Sequence, residues 1–281
     1  MTTTEKFVEM PVPQEEGFPK LKQHKIVVLI PTYNEENGIK PIVEKTQQVL
    51  SRMADRHNIV VVDDGSKDST RSIIDYLDVE RFFHRHNLGK GDVIRNALEF
   101  LSPGEIVVTM DGDGEHDPDD LPRLIYPILT GKADMVIGSR FKNESNRIHH
   151  YLGRQKEGKF FKNFGNRLFS FLLWIFTGKK IKDTQSGYRA FKAGTAKKLH
   201  LSADGFRIEM EMTVKAIKKG YKIKEVQIEN GLGARSSHLN PVIDGARITL
   251  TIFRECLPDG INSIFNWILP RLPREFGKLI K

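Results

Sequence analysis

The chain has 281 residues, enough to bury one large core or two small ones, and its composition, 39% apolar and 28% charged, is that of a globular protein. A single cysteine, Cys256, excludes an intrachain disulfide and any cysteine cluster for metal. The net charge of +8 is local: residues 141–200 carry 14 Lys and Arg against three acids, +11, which leaves −3 for the remainder. Residues 1–24 hold acids and prolines and lack the apolar core of a signal peptide, so a flexible tail and a cytoplasmic protein are expected.

From Lys25 onward short β-branched runs alternate with 3.6-periodic segments. Strands are predicted at Ile26–Ile30, Ile59–Val62, Arg81–His84, Ile106–Met110 and Met135–Ile137, and helices at Gly38–Arg52, Ser69–Leu77, Lys90–Leu101 and Asp119–Thr130, with caps at Asn37, Asp68 and Asp117. The β-α-β-α order predicts a Rossmann-like, three-layer α/β/α architecture with a mainly parallel sheet. Ligands of such sheets lie beyond the carboxyl ends of the strands, where Asn34, Asp63 and Asp111 fall. After Arg140 the pattern breaks into a basic helical stretch, a turn-rich Asp183–Arg189, a strand near Ala190–Lys192, a helix at Glu209–Lys219 and a strand at Lys222–Glu229. The expected organisation is a tail (1–24), one domain at 25–240 with a nucleotide-binding half (25–140) and an acceptor half (141–240), and C-terminal amphipathic helices (241–281).

The most telling stretch is Asp111-Gly112-Asp113-Gly114-Glu115, just after an apolar strand. Side chains two apart in a strand share a face, and Gly112 lets a bulky ligand approach the backbone. Paired carboxylates suit Mg²⁺ or Mn²⁺, which takes one or two from the protein and completes its shell with water or substrate phosphates. A calcium loop is excluded, because it needs Gly at its sixth position and Glu at its twelfth, where His116 and Pro122 stand. Helix capping accounts only for Asp117-Pro118-Asp119-Asp120.

The basic segment contains Leu168-Phe169-Ser170-Phe171-Leu172-Leu173-Trp174-Ile175-Phe176, flanked by Lys162, Arg167, Lys179 and Lys180. Nine positions, eight of them apolar, are too few to span a bilayer, which takes about 20. They suit a helix lying in the headgroups of an anionic membrane, and equally an ordinary buried helix with solvated lysines. No nucleic-acid module accompanies the charge, so nucleic acid is not an expected partner.

Six motifs occur in order: Pro31-Thr32-Tyr33-Asn34-Glu35, Val62 to Thr70 with Asp63-Asp64-Gly65-Ser66, Asn87-Leu88-Gly89-Lys90-Gly91, the Asp111 cluster, Gly138-Ser139-Arg140-Phe141, and Gln185-Ser186-Gly187-Tyr188-Arg189. Together they resemble the family 2 glycosyltransferases of the GT-A fold, and within them most closely the dolichyl- and polyprenyl-phosphate sugar synthases. The likeness runs from about Lys25 to about Arg254. It implies transfer of a sugar from a UDP- or GDP-linked donor to a polyprenyl phosphate, with inversion at the anomeric carbon, by a metal-dependent enzyme peripheral to the inner face of the membrane.

The resemblance implies roles residue by residue. Pro31, Tyr33, Glu35, Asp63, Asp64 and Lys90 line the donor nucleotide; Asp111 and Asp113 hold Mg²⁺ or Mn²⁺, with Glu115 as a further candidate ligand. Arg140 and Arg154 match acceptor-phosphate positions, and Asp183, Gln185 and Arg189 line the same region. The catalytic set comprises Asp113, Arg235 and Glu211, the last as the candidate base should the acceptor be a hydroxyl of a glycan or glycolipid. Glu209 reads as a solvated acid. The chain departs from its relatives at Ser237-His238, where they carry Ser-Lys; His238 replaces that lysine at the diphosphate only when protonated, and Arg235 is the other candidate. A sugar-nucleotide pyrophosphorylase would need a Gly- and Arg-rich N-terminal phosphate loop, which is absent.

Overall fold

The computed structural model describes residues 24–141, 157–229 and 241–257, with the helix backbone alone at 157–164 and 241–244. Seven strands form one sheet in the order β3-β2-β1-β4-β6-β5-β7, from β1 (Ile26–Thr32), β2 (His57–Asp63), β3 (Glu80–Phe83), β4 (Ile106–Thr109), β5 (Met135–Ser139), β6 (Arg189–Lys192) and β7 (Ile223–Gln227). All neighbouring pairs are parallel except those of β6, which runs antiparallel between β4 and β5. Both halves anticipated from the sequence therefore build a single sheet, which is the mainly parallel α/β arrangement expected.

Strand alternation divides the core into layers. Ile26, Val28 and Ile30 of β1 face one side, with α1 (Ile39–Met53) and α4 (Leu121–Leu129); Val27 and Leu29 face the other, with α3 (Lys90–Phe100) and α7 (Ile208–Lys218). Each of these β1 side chains is fully buried, a contribution of about 1.5–3 kcal/mol apiece. A third cluster joins Phe169 and Leu173 of α5 (Glu157–Thr177) to Met210 and Val214 of α7 and to Ile248 and Ile252 of α8 (Pro241–Cys256). Two short helices, α2 (Thr70–Asp75) and α6 (Ala193–Lys197), complete the set among the described residues. Helix capping differs from expectation at α1: the N-cap is Gly38, with no side-chain cap bond from Asn37. At α2 the N-cap is Ser69, and Asp68, one residue earlier, accepts from Thr70 N at 3.0 Å; Asp117 caps the 3₁₀ turn Pro118–Asp120, accepting from Asp119 N at 3.0 Å.

Glycine permits two close approaches that shape the crevice. A Cβ on Gly112 would lie 2.6 Å from Thr32 Oγ1, and one on Gly38 would lie 2.6 Å from the carbonyl oxygen of Gly112. The acidic loop is thus pressed between the end of β1 and the start of α1.

Candidate active site

The carboxyl ends of β1, β2 and β4 converge on one crevice. Asn34, just past β1, adopts φ +56°, a conformation tolerated by Asn, and its amide side chain earns that strain through cross-links to the β2 loop. Its backbone N–H donates to Ser66 Oγ at 2.8 Å and its side-chain Oδ1 accepts from Lys67 N at 2.8 Å. Ser66 Oγ in turn donates to Asp63. Glu35 N donates to Thr70 Oγ1 at 2.8 Å, while Pro31 is buried inside β1 opposite Val62 and Tyr33 is half-buried beside it. Asp64 gathers the next loop, accepting from Leu88 N at 2.9 Å and Gly89 N at 2.7 Å and lying 2.7 Å from His84 Nδ1. The two aspartates of the β2 end shape this wall of the crevice.

At the β4 end, the backbone N–H of Asp111 donates to Nδ1 of buried His116, which stacks on Tyr188 with ring centroids 4.8 Å apart. Burial pushes the His116 imidazole down to about 4, so it is neutral and able to accept that bond. Tyr188 Oη donates to Asp117 O at 3.0 Å and closes the loop from the other side. The sequence signalled His116 only as a residue that breaks the calcium pattern, yet it anchors the acidic turn.

Lys90 Nζ lies 2.5 Å from Asp111 Oδ1 and 2.7 Å from Glu209 Oε1. Gly187 makes room, since a Cβ there would lie 2.6 Å from Asp111 Oδ2. Burial, which disfavours the ammonium, is outweighed by these two carboxylates, and the lysine is held above its ordinary range. For Asp111 burial is likewise outweighed, above all by the Lys90 ammonium and further by Arg140, and its carboxyl is held low. Asp113 moves the opposite way: burial, and next the charge of Asp111, raise it to about 7. Its Oδ1 accepts from Glu115 N at 2.9 Å.

Two hard carboxylates with a surplus of negative charge fit a divalent cation. Among the described residues no three His, Cys, Asp or Glu converge to hold an ion unaided.

Arg140 flanks the acidic loop. Its Nε and Nη2 donate to the two oxygens of Asp183 at 2.9 Å and 3.0 Å, and Glu115 Oε2 lies 3.9 Å from Nη1. Asp183 is fully buried and Arg140 is about a third exposed, so the aspartate aims the guanidinium at the crevice. Burial is outweighed at both partners: Arg140 holds Asp183 below the ordinary carboxylate range, and Asp183 raises Arg140.

Three expectations require correction. Arg189 is 1% exposed and donates to Ser186 O, Thr184 O, Glu209 O and Thr213 Oγ1, so it braces the interior and does not line an acceptor surface. Glu211 is consumed by Ser202 N and Oγ, Ala203 N and Lys215 Nζ at 2.6–2.9 Å, leaving no carboxylate free to act as a base. Glu209, read from the sequence as solvated, is 3% exposed and is the helix α7 acid that meets Lys90. Gln185 is half-buried with its Nε2 3.4 Å from Thr184 Oγ1. Arg154, Arg235 and His238 lie outside the described residues.

An antiparallel strand inserted in a parallel sheet, with an acidic turn beyond β4, defines a GT-A-type α/β fold. Residues 27–199 match the model of Glycosyl transferase family 2, and the chain belongs to that family. It is therefore a glycosyltransferase. A protein of Methanococcus voltae named UDP-N-acetylglucosamine–dolichyl-phosphate N-acetylglucosaminyltransferase is 32% identical over 73% of this chain and 84% of its own. The polyprenol monophosphomannose synthase of Mycolicibacterium smegmatis is also 32% identical, over 72% of this chain and 76% of its own. Among solved structures, glucosyl-3-phosphoglycerate synthase from Mycobacterium tuberculosis, in complex with Mn²⁺ and UDP-glucose, superposes with a TM-score of 0.65 at 19% identity, over 86% of this chain and 89% of the other. That likeness concerns the fold.

Proposed function

We propose that the protein transfers a sugar, with inversion, from a nucleoside diphosphate donor to a polyprenyl phosphate at a membrane surface. The observation that carries the reading is the Arg140–Asp183 pair: a partly exposed guanidinium, aimed by a buried carboxylate, at the edge of the acidic crevice. A phosphate acceptor is already largely ionised near neutral pH, its second pKa being about 6, and needs a cation more than a base. The engagement of Glu211 in the 202–203 turn also supports the reading, since the candidate base for a hydroxyl acceptor is already occupied.

Asp111 and Asp113 are the residues that would hold Mg²⁺ or Mn²⁺, with Glu115 nearby. When bound, such an ion supplies charge neutralisation for the departing diphosphate. The chain's own part is to enclose the nucleoside between the Asn34, Asp63 and Asp64 loops and to orient the acceptor phosphate with Arg140. The names of the relatives support a lipid-phosphate acceptor, and the Mn²⁺ and UDP-glucose of the structural neighbour support the donor class.

The surface of α5 supports a lipid setting. Phe169 and Leu173 face inward, while Leu168, Phe171, Trp174 and Ile175 are 43–54% exposed, next to exposed Arg167, Lys179 and Lys180. Among the described residues no helix is long and apolar enough to cross a membrane, so the fit is to an interfacial helix.

The test is transfer from UDP- and GDP-sugars, with Mn²⁺, to a polyprenyl phosphate or to a free glycan hydroxyl. A product cleaved by mild acid and formed only on the lipid phosphate is expected. Transfer to the hydroxyl with none to lipid phosphate would overturn the reading.

A further inference from the structure

Lys90 lies between two carboxylates of unequal access. The side chain of Asp111 is 30% exposed and opens on the crevice, whereas that of Glu209 is 4% exposed and lies behind the lysine. Glu209 Oε1 receives the ammonium, and Oε2 is buried with no hydrogen-bond partner among the described residues. The residue is held firmly, because its backbone carbonyl accepts from Arg189 Nη1 at 2.8 Å and from Thr213 Oγ1 at 2.8 Å. A solvent-borne cation can therefore reach Asp111 but not Glu209.

On the metal-bearing role proposed above for Asp111, we propose that Glu209 is a positioning residue that retains the Lys90 ammonium when Asp111 is given over to a divalent cation. An ammonium carries three N–H donors, so the bond released by Asp111 can pass to the spare oxygen of Glu209. Without that partner, an ion entering at Asp111 would leave a buried ammonium unpaired, which is costly. Glu209 thus lowers the cost of exchanging lysine for metal at Asp111 and keeps a cation beside the donor diphosphate.

The experiment measures Mn²⁺ binding calorimetrically on the full chain, without donor or acceptor, for wild type, Glu209→Gln, Lys90→Met and the double variant. Glu209→Gln should weaken Mn²⁺ at least about fivefold, the scale of one partly buried charge interaction. In the Lys90→Met background the same change should have little effect, since no ammonium remains to be displaced. Equal weakening in both backgrounds, or none in either, would overturn the proposal. If Glu209→Gln does not fold, Glu209→Asp decides: it keeps the charge but withdraws it from Lys90, so unchanged Mn²⁺ binding would overturn the role and weakened binding would support it. Wild type that binds no Mn²⁺ either alone or with UDP or GDP present would overturn the metal reading itself, whereas binding that ignores Glu209 would overturn this inference alone.

Discussion

Asp183 grips Arg140 three times: its carboxylate accepts from Nε and Nη2 of the guanidinium and from the backbone N–H, at 2.9–3.0 Å. The aspartate is buried and itself fixed by α5, because Asn166 Nδ2 donates to Lys182 O and Asn166 Oδ1 accepts from Thr184 N, on either side of it. Asp183→Asn should therefore act twice. Stability should fall by about 2–3 kcal/mol, below the full value for a broken buried pair because Arg140 is partly exposed. The acceptor KM should rise about tenfold as the guanidinium loses its aim, with donor affinity almost unchanged. Urea unfolding beside acceptor and donor titrations checks both parts, and an equal loss of donor affinity would refute the assignment of this pair to the acceptor.

Asp113 makes metal binding depend on pH in a determined direction. Burial and the neighbouring Asp111 hold its carboxyl at about 7 in the metal-free fold, so below that pH an incoming ion must displace a proton and above it need not. Mn²⁺ affinity should climb from about pH 5.5 to 7.5 and then level, with about one proton released per ion near pH 6. The sign for stability follows from the same shift. An acid raised by folding contributes stability that is complete below its unfolded value, about 4, and is lost as pH rises through 7. Metal-free Asp113→Asn should thus match wild type near pH 4 and exceed it near pH 8 by about 1–2 kcal/mol, while losing most activity, as Asp111→Asn should also. Calorimetry in buffers of different ionisation heat, with thermal unfolding at both pH values, provides the measurement; a flat Mn²⁺ affinity would contradict it.

The parts legible in the sequence are those governed by local pattern. β1, β2 and β4 are buried on both faces, so their β-branched runs are unambiguous, and the Asp111 turn declares itself by following one of them. What stayed hidden depends on docking. Arg189–Lys192 is a four-residue strand whose insertion between β4 and β5 no periodicity reports. In Ile208-Glu209-Met210-Glu211-Met212 both acids alternate with apolar residues. Two positions apart on a helix they point to nearly opposite sides, and only the packing of α7 on β1 and α5 decides that Glu209 meets Lys90 while Glu211 ties down the 202–203 turn. Arg189 misled for the same reason: the resemblance groups it with Asp183 and Gln185 on the acceptor side, and only its four internal acceptors show that it braces the interior.

The approach of Gly112 to Thr32 predicts a non-additive pair. A methyl group on Gly112 would lie 2.6 Å from Thr32 Oγ1, a buried hydroxyl without a hydrogen-bond partner among the described residues. Gly112→Ala should cost about 1–3 kcal/mol by overpacking and displace the acidic turn. Thr32→Ala removes the obstructing atoms, so Gly112→Ala in that background should be nearly neutral, a coupling of about 1 kcal/mol or more. Unfolding of the two single variants and the double variant yields the coupling, and simple additivity would show that the turn moves aside freely.

The outward face of α5 predicts a lipid-dependent phenotype separate from the chemistry. Leu168, Phe171, Trp174 and Ile175 present about half of their surface to solvent along one side of the helix, and Phe171 and Trp174 rings lie 6.1 Å apart. Exposed Arg167, Lys179 and Lys180 flank them, each able to add about 1 kcal/mol of attraction to an anionic surface. The opposite side of the same helix carries Asn166 and Ser170, which hold the backbone on either side of Asp183. A membrane contact at α5 would thus bring the lipid acceptor to the side of the crevice that Arg140 faces. Phe171→Ser with Trp174→Ser should abolish co-sedimentation with vesicles containing about 30% anionic phospholipid and lower turnover on vesicle-borne polyprenyl phosphate, because apolar burial and charge act together in such binding. Donor affinity and turnover on a short-chain, water-soluble polyprenyl phosphate should stay within about twofold of wild type, since both side chains are about half exposed and belong to none of the buried clusters. Undiminished vesicle binding by the double variant would assign membrane attachment to another surface, and an equal loss on the soluble acceptor would make α5 a part of the acceptor site itself.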